Sequence, residues 1–380
     1  MAGTHRRGVR RITFVRLCTY LLPIRRSLFS KLEAWEFAGY FKHLDAAGCE
    51  VLVVDGSLAE VFAEHEKIWS GVCRHETVNS CFKFLNDKVN GVHTGVALAT
   101  NDKIILADDD IRYDKIDVER MCALLDEFEV ARPQNYIGLN DVPVDPHLHP
   151  LNAPPSRDPG EETAKRQVRV VRWWAKMESA RMLINRATLR TADYPGTYGF
   201  RRQTFLSAGE YDGDVLFDNE ELIRHFARSG ARIAYRNDFF ILKRASKFRK
   251  WLEQRPRQAY EDFGLRFKTF FFAALLPSAV VLAFINPKWL SIFLLSILVA
   301  FAGWRRGAAR KYFRPYVCLF APLWIFERTV STYWAFYWLI TRGGYPFGKR
   351  LLSKGIGRDW VEGGRVAAKM VAGLTNEQGK

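Results

Sequence analysis

The segment from Lys103 to Asp114 constrains the fold more than any other stretch of this chain. Ile104 to Ala107 is an apolar run of strand length that stops abruptly at three consecutive carboxylates, Asp108, Asp109 and Asp110. Three like charges at a strand end repel one another, so positive charge is expected among them. A hard divalent cation, Mg2+ or Mn2+, takes oxygen ligands and keeps sites open for phosphate. Alternate residues of a strand point to one side, so Asp108 and Asp110 are expected to face one ion while Asp109 faces away. A solvated acidic turn is the plainer alternative.

The surrounding pattern is α/β. Residues 12–24 read as a first strand ending at Leu22, Pro23 and Ile24, where a proline is tolerated because the ladder has stopped. Ser27 is expected to cap an amphipathic helix carrying Leu28, Leu32, Trp35, Phe37, Tyr40, Phe41 and Leu44. Val51 to Val54 is a second buried strand, closed by Asp55-Gly56-Ser57. Strand, helix, strand indicates a parallel sheet whose ligands gather at the strands' carboxyl ends, which puts Asp55 beside the aspartate triplet. A short strand is expected over 73–78, and then a helix with Lys88, Asn90, Gly91, Gly95 and Ala99. The two glycines cost helix propensity, and close approach of backbone to ligand is one reason to keep them. Residues 116–128 are amphipathic, Tyr136 to Leu139 form a further strand, and 141–162 form a long Pro- and Asp-rich loop of the kind used as a lid.

Lys and Arg exceed Asp and Glu by sixteen, so an anionic partner is expected. The basic residues cluster at Arg6–Arg11, Lys243–Arg257 and Arg305–Arg314, the last two flanking the most apolar part of the chain. That placement suits a membrane carrying anionic lipid and disfavours nucleic acid. Cys18, Cys49, Cys73, Cys81, Cys122 and Cys318 have no metal or disulfide spacing and read as reduced thiols. His147 and His149 lack partners for a metal site, and no signal peptide is expected.

The order of these features resembles a family 2 glycosyltransferase of the GT-A type, in a bacterial membrane-bound subgroup. The resemblance rests on the strand ending in Asp55, the helix with Lys88 and Asn90, and the Asp-x-Asp. It extends through Arg132–Tyr136, the helix around Arg181 to Arg186, and Asp193–Arg202, and so covers nearly the whole chain. It implies a Rossmann-like mixed sheet with helices on both faces, and inverting transfer of a sugar from a nucleotide diphosphate, UDP or GDP. Asp110 would ligate the metal, and Asp108 would contact ribose or metal. Asp55 and the backbone near Pro23 would hold base and ribose. Lys88 and Asp109 would belong to the donor-binding set. The stretch Phe217–Leu222 matches the Glu-Asp pair that supplies the catalytic base, but Asn219 stands where the Asp belongs. Asp218 is then the first choice of base and Glu221 the second, with a capping box as the structural alternative. An acceptor that was already an ionised phosphate would need no base. Gln254-Arg255-Pro256-Arg257-Gln258 resembles the QxxRW signature with Gln258 for Trp, which sets Gln254 and Arg257 against the leaving diphosphate.

Thr269 to Pro287 carries no charge, and Trp289 to Trp304 adds a shorter apolar stretch after Asn286-Pro287-Lys288. A transmembrane hairpin with both ends cytoplasmic is expected. Pro315 to Thr341 is interrupted by Glu327-Arg328, so an interfacial segment is favoured over a third span. The expected organisation is a catalytic domain over 1–262, a hairpin over 263–306, and a basic loop, interfacial segment and tail over 307–380. The expected protein is multi-pass in the inner membrane with its catalytic domain cytoplasmic, and its acceptor is a lipid or lipid-linked glycan. A processive polysaccharide synthase, or a non-enzymatic membrane protein binding nucleotide or anionic lipid, are the alternatives.

Overall fold

A computed structural model describes residues 16–138, 173–348 and 350–357. The long loop over 141–162, His147, His149 and the N-terminal basic cluster lie outside the described residues. Strand β1 (Cys18–Ile24) is buried along its whole length and runs parallel to β2 (Cys49–Asp55), from Cys18 opposite Cys49 to Ile24 opposite Asp55. Pro23 therefore sits inside this ladder, opposite Val54, and not beyond its end. Pairing of β1 with β4 (Lys103–Ala107) covers only Thr19 to Leu21, so Pro23 has a partner strand on one side alone.

Between these strands runs α1 (Lys31–Ala46), capped by Ser30 and not by Ser27. Its buried face is Ala34, Phe37, Ala38, Tyr40, Phe41 and Leu44, while Leu28, Leu32 and Trp35 are exposed. The apolar periodicity begins one turn later than expected because Ala34 and Ala38, not the larger Leu32 and Trp35, meet the sheet. After β2 come α2 (Ala59–Trp69), β3 (Arg74–Thr77) and α3 (Asp87–Leu98). A side chain at Gly91 would stand 3.0 Å from the Pro23 ring, and one at Gly95 would overlap Leu21. These glycines seat α3 on β1, so packing against the sheet explains them better than approach to a ligand.

Beyond β4 follow β5 (Ile111–Arg112), α4 (Lys115–Glu127), β6 (Val130–Ile137), α5 (Trp173–Thr188), β7 (Thr197–Arg201), α6 (Arg202–Ala208), α7 (Asp218–Arg228), β8 (Ile233–Lys243) and α8 (Phe248–Glu261). The eight-stranded sheet has the order β3-β2-β1-β4-β7-β6-β8-β5. The first four strands in that row are parallel, and β7 is antiparallel to both of its neighbours. One face is covered by α1, α2 and α4 through Phe37, Phe41, Trp69, Val118 and Met121. The other is covered by α3, α6 and α7 through Val89, Val92, Phe205, Leu222 and Phe226. This is the mixed α/β sheet with helices on both faces. The six cysteines are free thiols, four of them buried.

The C-terminal part departs from the expected hairpin. Helix α9 (Arg266–Ile285) contains Phe267–Ile285, the one span among the described residues long and apolar enough to cross a membrane. The expected second arm is divided between a 3-10 turn over 287–294 and α10 (Leu295–Arg305), too short to cross. Ala300 is buried, and the backbone of Gly303 lies so close to the Leu183 carbonyl of α5 that no side chain fits. A short α11 (Ala309–Tyr312) leads to α12 (Ala321–Arg342), a continuous helix over the stretch read as an interfacial segment. Arg328 is buried against the α/β body, and Glu327 beside it is half-buried. Strands β9 (Tyr345–Phe347) and β10 (Arg350–Leu352) then turn the chain back. Leu216 and Phe217, just before α7, donate backbone hydrogen bonds to the carbonyls of Lys354 and Gly355 at 3.0 and 2.9 Å.

Candidate active site

A cleft of about 890 Å³ opens at the carboxyl end of β4, bounded by α3, α5, α7, α8, the start of α9 and Arg328 of α12. Strand β4 ends at Ala107, so the three aspartates form a turn, and all three line the cleft, Asp109 included. Strand alternation is lost there because the Asp108 amide bonds to the Gly196 carbonyl and the Ile111 amide turns back to the Asp108 carbonyl.

Each carboxylate has its own cation. Lys88 Nζ lies 2.6 Å from Asp108, Arg26 and Lys250 lie 2.6 and 3.1 Å from Asp109, and Lys243 lies 3.3 Å from Asp110. Burial opposes ionisation of Asp109, but Lys250 and Arg26 outweigh it and hold the carboxyl well below the usual range. Burial likewise pushes Asp108 up, and Lys88 with Lys243 brings it below its ordinary value. At Asp110 burial wins: Lys243 does not offset it together with the charges of Asp109 and Asp108, and the pKa is raised.

Lys88 ties two elements together. It contacts Asp108 at 2.6 Å, Asp218 at 2.9 Å and the Asn219 amide oxygen at 2.8 Å. It projects from the first turn of α3, where Asn86 caps the helix. Burial would lower its pKa, but Asp108 and Asp218 raise it above the ordinary value. Asp218 opens α7 as its first helical residue and caps nothing, so the capping-box alternative fails there. Glu221 is directed away from the cleft: it is buried, paired with Arg228 at 2.6 Å, and accepts the Gly357 amide at 3.0 Å. It packs the returning C-terminal segment and is withdrawn as a base.

On α8, Gln254 and Arg257 share the face that lines the cleft, and Arg257 is paired with Glu261 at 3.1 Å. Pro23 also lines the cleft. Asp55 does not. Its carboxylate is buried and accepts from His65 at 2.7 Å, His75 at 3.2 Å and the Ser57 amide at 2.8 Å. Burial would raise its pKa, but the hydrogen bonds of His65, His75 and Ser57 hold it well below the usual range. The carboxylate expected on base and ribose is thus already satisfied, and it shapes the loop that follows β2.

The stretch Arg132–Asn135 serves structure. Gln134 accepts the Asp193 amide at 2.9 Å, and Asn135 accepts the Gly196 amide at 2.8 Å. Gly196 has no room for a side chain, because a Cβ there would stand 2.5 Å from Asp108 Oδ2. These side chains hold the loop 193–196 against the aspartate turn. Asn135→Ala leaves the Gly196 amide without its partner, and a loss of about 1–3 kcal/mol is expected in urea unfolding.

Sequence reasoning missed Arg26, Glu178, Arg181, Asp262 and Lys268 in the cleft. They come from four separate elements, and none carried a local signal; of the other charged cleft residues, Arg328 gave one, as a charge inside an apolar run.

The cleft's donor set fits a divalent cation. Asp108 and Asp110 supply hard oxygen ligands, and Asp110 Oδ1 is buried with no hydrogen-bond partner. A cation there would take over part of the lysines' work. Lys88→Met leaves Asp108 and Asp218 unpaired, a cost of about 2 kcal/mol after allowance for partial exposure. The thermal midpoint is expected to fall and to recover in part with Mn2+, read by thermal scans with and without the ion.

No family model matches the chain, and no curated protein is similar enough to count as a relative. Among solved structures, the chain is similar to a mannosyltransferase from Pyrobaculum calidifontis in complex with GDP-Man and Mn2+. That match has 14% identity, covers 83% of this chain and 87% of the other, and has a TM-score of 0.44. It is also similar to glucosyl-3-phosphoglycerate synthase from Mycobacterium tuberculosis in complex with Mn2+, UDP and glucosyl-3-phosphoglycerate. There the identity is 13%, the coverage 68% of this chain and 84% of the other, and the TM-score 0.36. Identities this low leave the chemistry to be read from the cleft's own residues.

Proposed function

We propose that this chain is a metal-dependent GT-A glycosyltransferase, moving a sugar with inversion from a UDP- or GDP-linked donor to a lipid or lipid-linked glycan. The observation that carries the reading is the aspartate turn, with Asp110 Oδ1 unpartnered, inside a cleft ringed by Lys88, Lys243, Lys250 and Arg257. Asp108 and Asp110 would hold Mg2+ or Mn2+, which supplies neutralising charge for the departing diphosphate. Lys243, Lys250 and Arg257 add fixed positive charge on the same side, so negative charge developing on the leaving group meets donors already in place. Pro23 and the backbone near it border the end assigned to base and ribose. Arg26 and Lys250 keep Asp109 ionised, which preserves the turn's shape.

Helix α9 is the proposed membrane anchor. Phe267, Phe284 and Ile285 are largely exposed on it, and basic clusters flank the apolar region. The catalytic body then runs to about residue 262 on the cytoplasmic side of the inner membrane, with the segment over 343–357 folded back onto it. On this reading one span stands where a hairpin was expected, and the cleft wall formed by Lys268 and Arg328 would lie toward the membrane.

The test is donor hydrolysis by purified protein in detergent, with UDP- and GDP-sugars, with Mn2+ or Mg2+ and then with EDTA. Metal-dependent release of nucleotide diphosphate from one donor is expected. Folded protein that neither releases nor binds nucleotide in a metal-dependent way would overturn the reading.

A further inference from the structure

We infer that Asp55, His65 and His75 form a Zn2+ site that locks the carboxyl end of β2 to α2 and β3. It lies apart from the aspartate turn, and it does not depend on the transferase reading. Asp55 closes β2, His65 projects from α2, and His75 stands on β3 opposite Val53. One nitrogen of each ring and one Asp55 oxygen all lie within 4.8 Å of one another. The three side chains are buried, His65 at 5% exposure, His75 at 1% and Asp55 at 0%. Two imidazoles and a carboxylate are ligands that Zn2+ takes.

The count of protons points to a metal. Asp55 Oδ2 faces His65 Nδ1 at 2.7 Å and His75 Nε2 at 3.2 Å, and the other His75 nitrogen, Nδ1, faces Glu66 at 2.6 Å. Ionised carboxylates only accept, whereas a neutral imidazole carries a single N–H. Without a metal, His75 is therefore a buried imidazolium, and Asp55, Glu66 and His75 together keep a net negative charge. Among the described residues no Lys or Arg pairs with either carboxylate. Zn2+ on His75 Nε2 resolves both problems. The ring stays neutral and donates its Nδ1–H to Glu66, the partner that sets tautomer and orientation behind a ligating histidine. The carboxylates of Asp55 and Glu66 then balance the ion's charge, and no buried charge is left uncompensated.

The rings are held in place for such an ion. Phe62, His65, Glu66 and Trp69 recur on one side of α2. His65 stacks on Trp69 with centroids 4.3 Å apart and planes 14° apart, and His75 stacks on Phe62 at 4.1 Å and 13°. Tetrahedral Zn2+, with bonds of about 2.0–2.1 Å, sets its ligand atoms about 3.4 Å apart, so side-chain shifts of about 1 Å or less close the site. Three protein ligands leave the fourth position to water. The ion would also stiffen one wall of the cleft. The Ser57 amide donates to Asp55 at 2.8 Å, and its neighbours Gly56 and Leu58 line the cleft.

The test titrates Zn2+, or Co2+ as its coloured substitute, into chelator-stripped full chain in detergent, without nucleotide or Mn2+. Retention of one equivalent of Zn2+ after dialysis, the intense visible bands of tetrahedral Co2+, and a thermal midpoint raised by several degrees are expected. His75→Gln is expected to lose all three. Glu66→Gln alters an exposed side chain and is expected to weaken Zn2+ binding about 10–100-fold, which keeps the site testable if His75→Gln unfolds. Asp110→Ala is expected to retain the Zn2+, separating this site from the aspartate turn. Parent protein that retains no Zn2+, equal retention by folded His75→Gln and Glu66→Gln, or loss of the ion in Asp110→Ala would each refute the site. The cluster would then be a hydrogen-bonded one alone, with the transferase reading untouched.

Discussion

Asp110→Ala is expected to lower metal-dependent turnover about a thousandfold without unfolding the protein. Asp110 is the member of the triplet with the poorest protein partners: Lys243 reaches one oxygen at 3.3 Å, and the other is buried and unpaired. In the metal-free chain it is therefore a cost, squeezed between Asp108 and Asp109. Removing it relieves that repulsion and leaves Lys243 beside Asp108. The metal-free variant should unfold at or slightly above the parent's midpoint, while the rise in midpoint on adding Mn2+ disappears. Donor turnover and paired thermal scans measure the two halves. A variant that still gains stability from Mn2+ would show that the ion is held elsewhere.

Glu178→Gln is expected to have the largest effect on stability, about 3–5 kcal/mol at neutral pH. Glu178 stands on α5 between Arg181, at 2.9 Å, and Arg255 of α8, with the Trp251 indole donating at 3.4 Å. Arg181 passes on to Asp193 at 3.0 Å, and Arg255 reaches Glu327 of α12 at 3.7 Å. Neutralising the central carboxylate leaves two buried guanidinium groups facing each other. Burial pushes the Glu178 pKa up, but Arg255 and then Arg181 outweigh it and hold it at about 2. For a carboxylate depressed in the folded state, the stabilisation is complete above the unfolded value of about 4.3 and is lost as pH falls toward 2. The gap between parent and variant should thus be widest at neutral pH and shrink through that window. Denaturant titrations at several pH values test it, and a gap that stays constant with pH would rule the mechanism out.

Much of the framework was legible because it depends on local pattern. Val51–Val54 and Ile104–Ala107 are apolar runs of strand length, and both ended where the carboxylates began. Lys88, Gln254 and Arg257 were legible as cleft residues only through the resemblance of their motifs to a known family, not through any local periodicity. Asp55 and Glu221 were misread for a shared reason. An acidic residue near a strand end or helix start looks the same whether it faces a ligand or a histidine, arginine or backbone amide brought in from elsewhere. His75 and Gly357, which decide those two cases, lie 20 and 136 residues away. Gly91 and Gly95 were misread because the demand on them comes from Pro23 and Leu21 across the helix–sheet interface.

The membrane region divides the same way. The length and composition of Phe267–Ile285 follow from sequence alone, since both are sums over neighbouring residues. The fate of Glu327 and Arg328 does not. Hydropathy counts them as charges inside an apolar run, whereas the fold buries them against Arg255, Asp262 and Gln258.

By itself, then, the sequence determined the α/β alternation, the buried strand that ends at the aspartates, the helix bearing Lys88, and one helix of membrane length. These are set by periodicity and by charges adjacent in the chain. Only the tertiary structure decided which cation meets which carboxylate, which acids face the cleft, and that Arg328 closes it. Those pairings join elements far apart in sequence, and the energy of a charge depends on burial and on partners that no local pattern encodes.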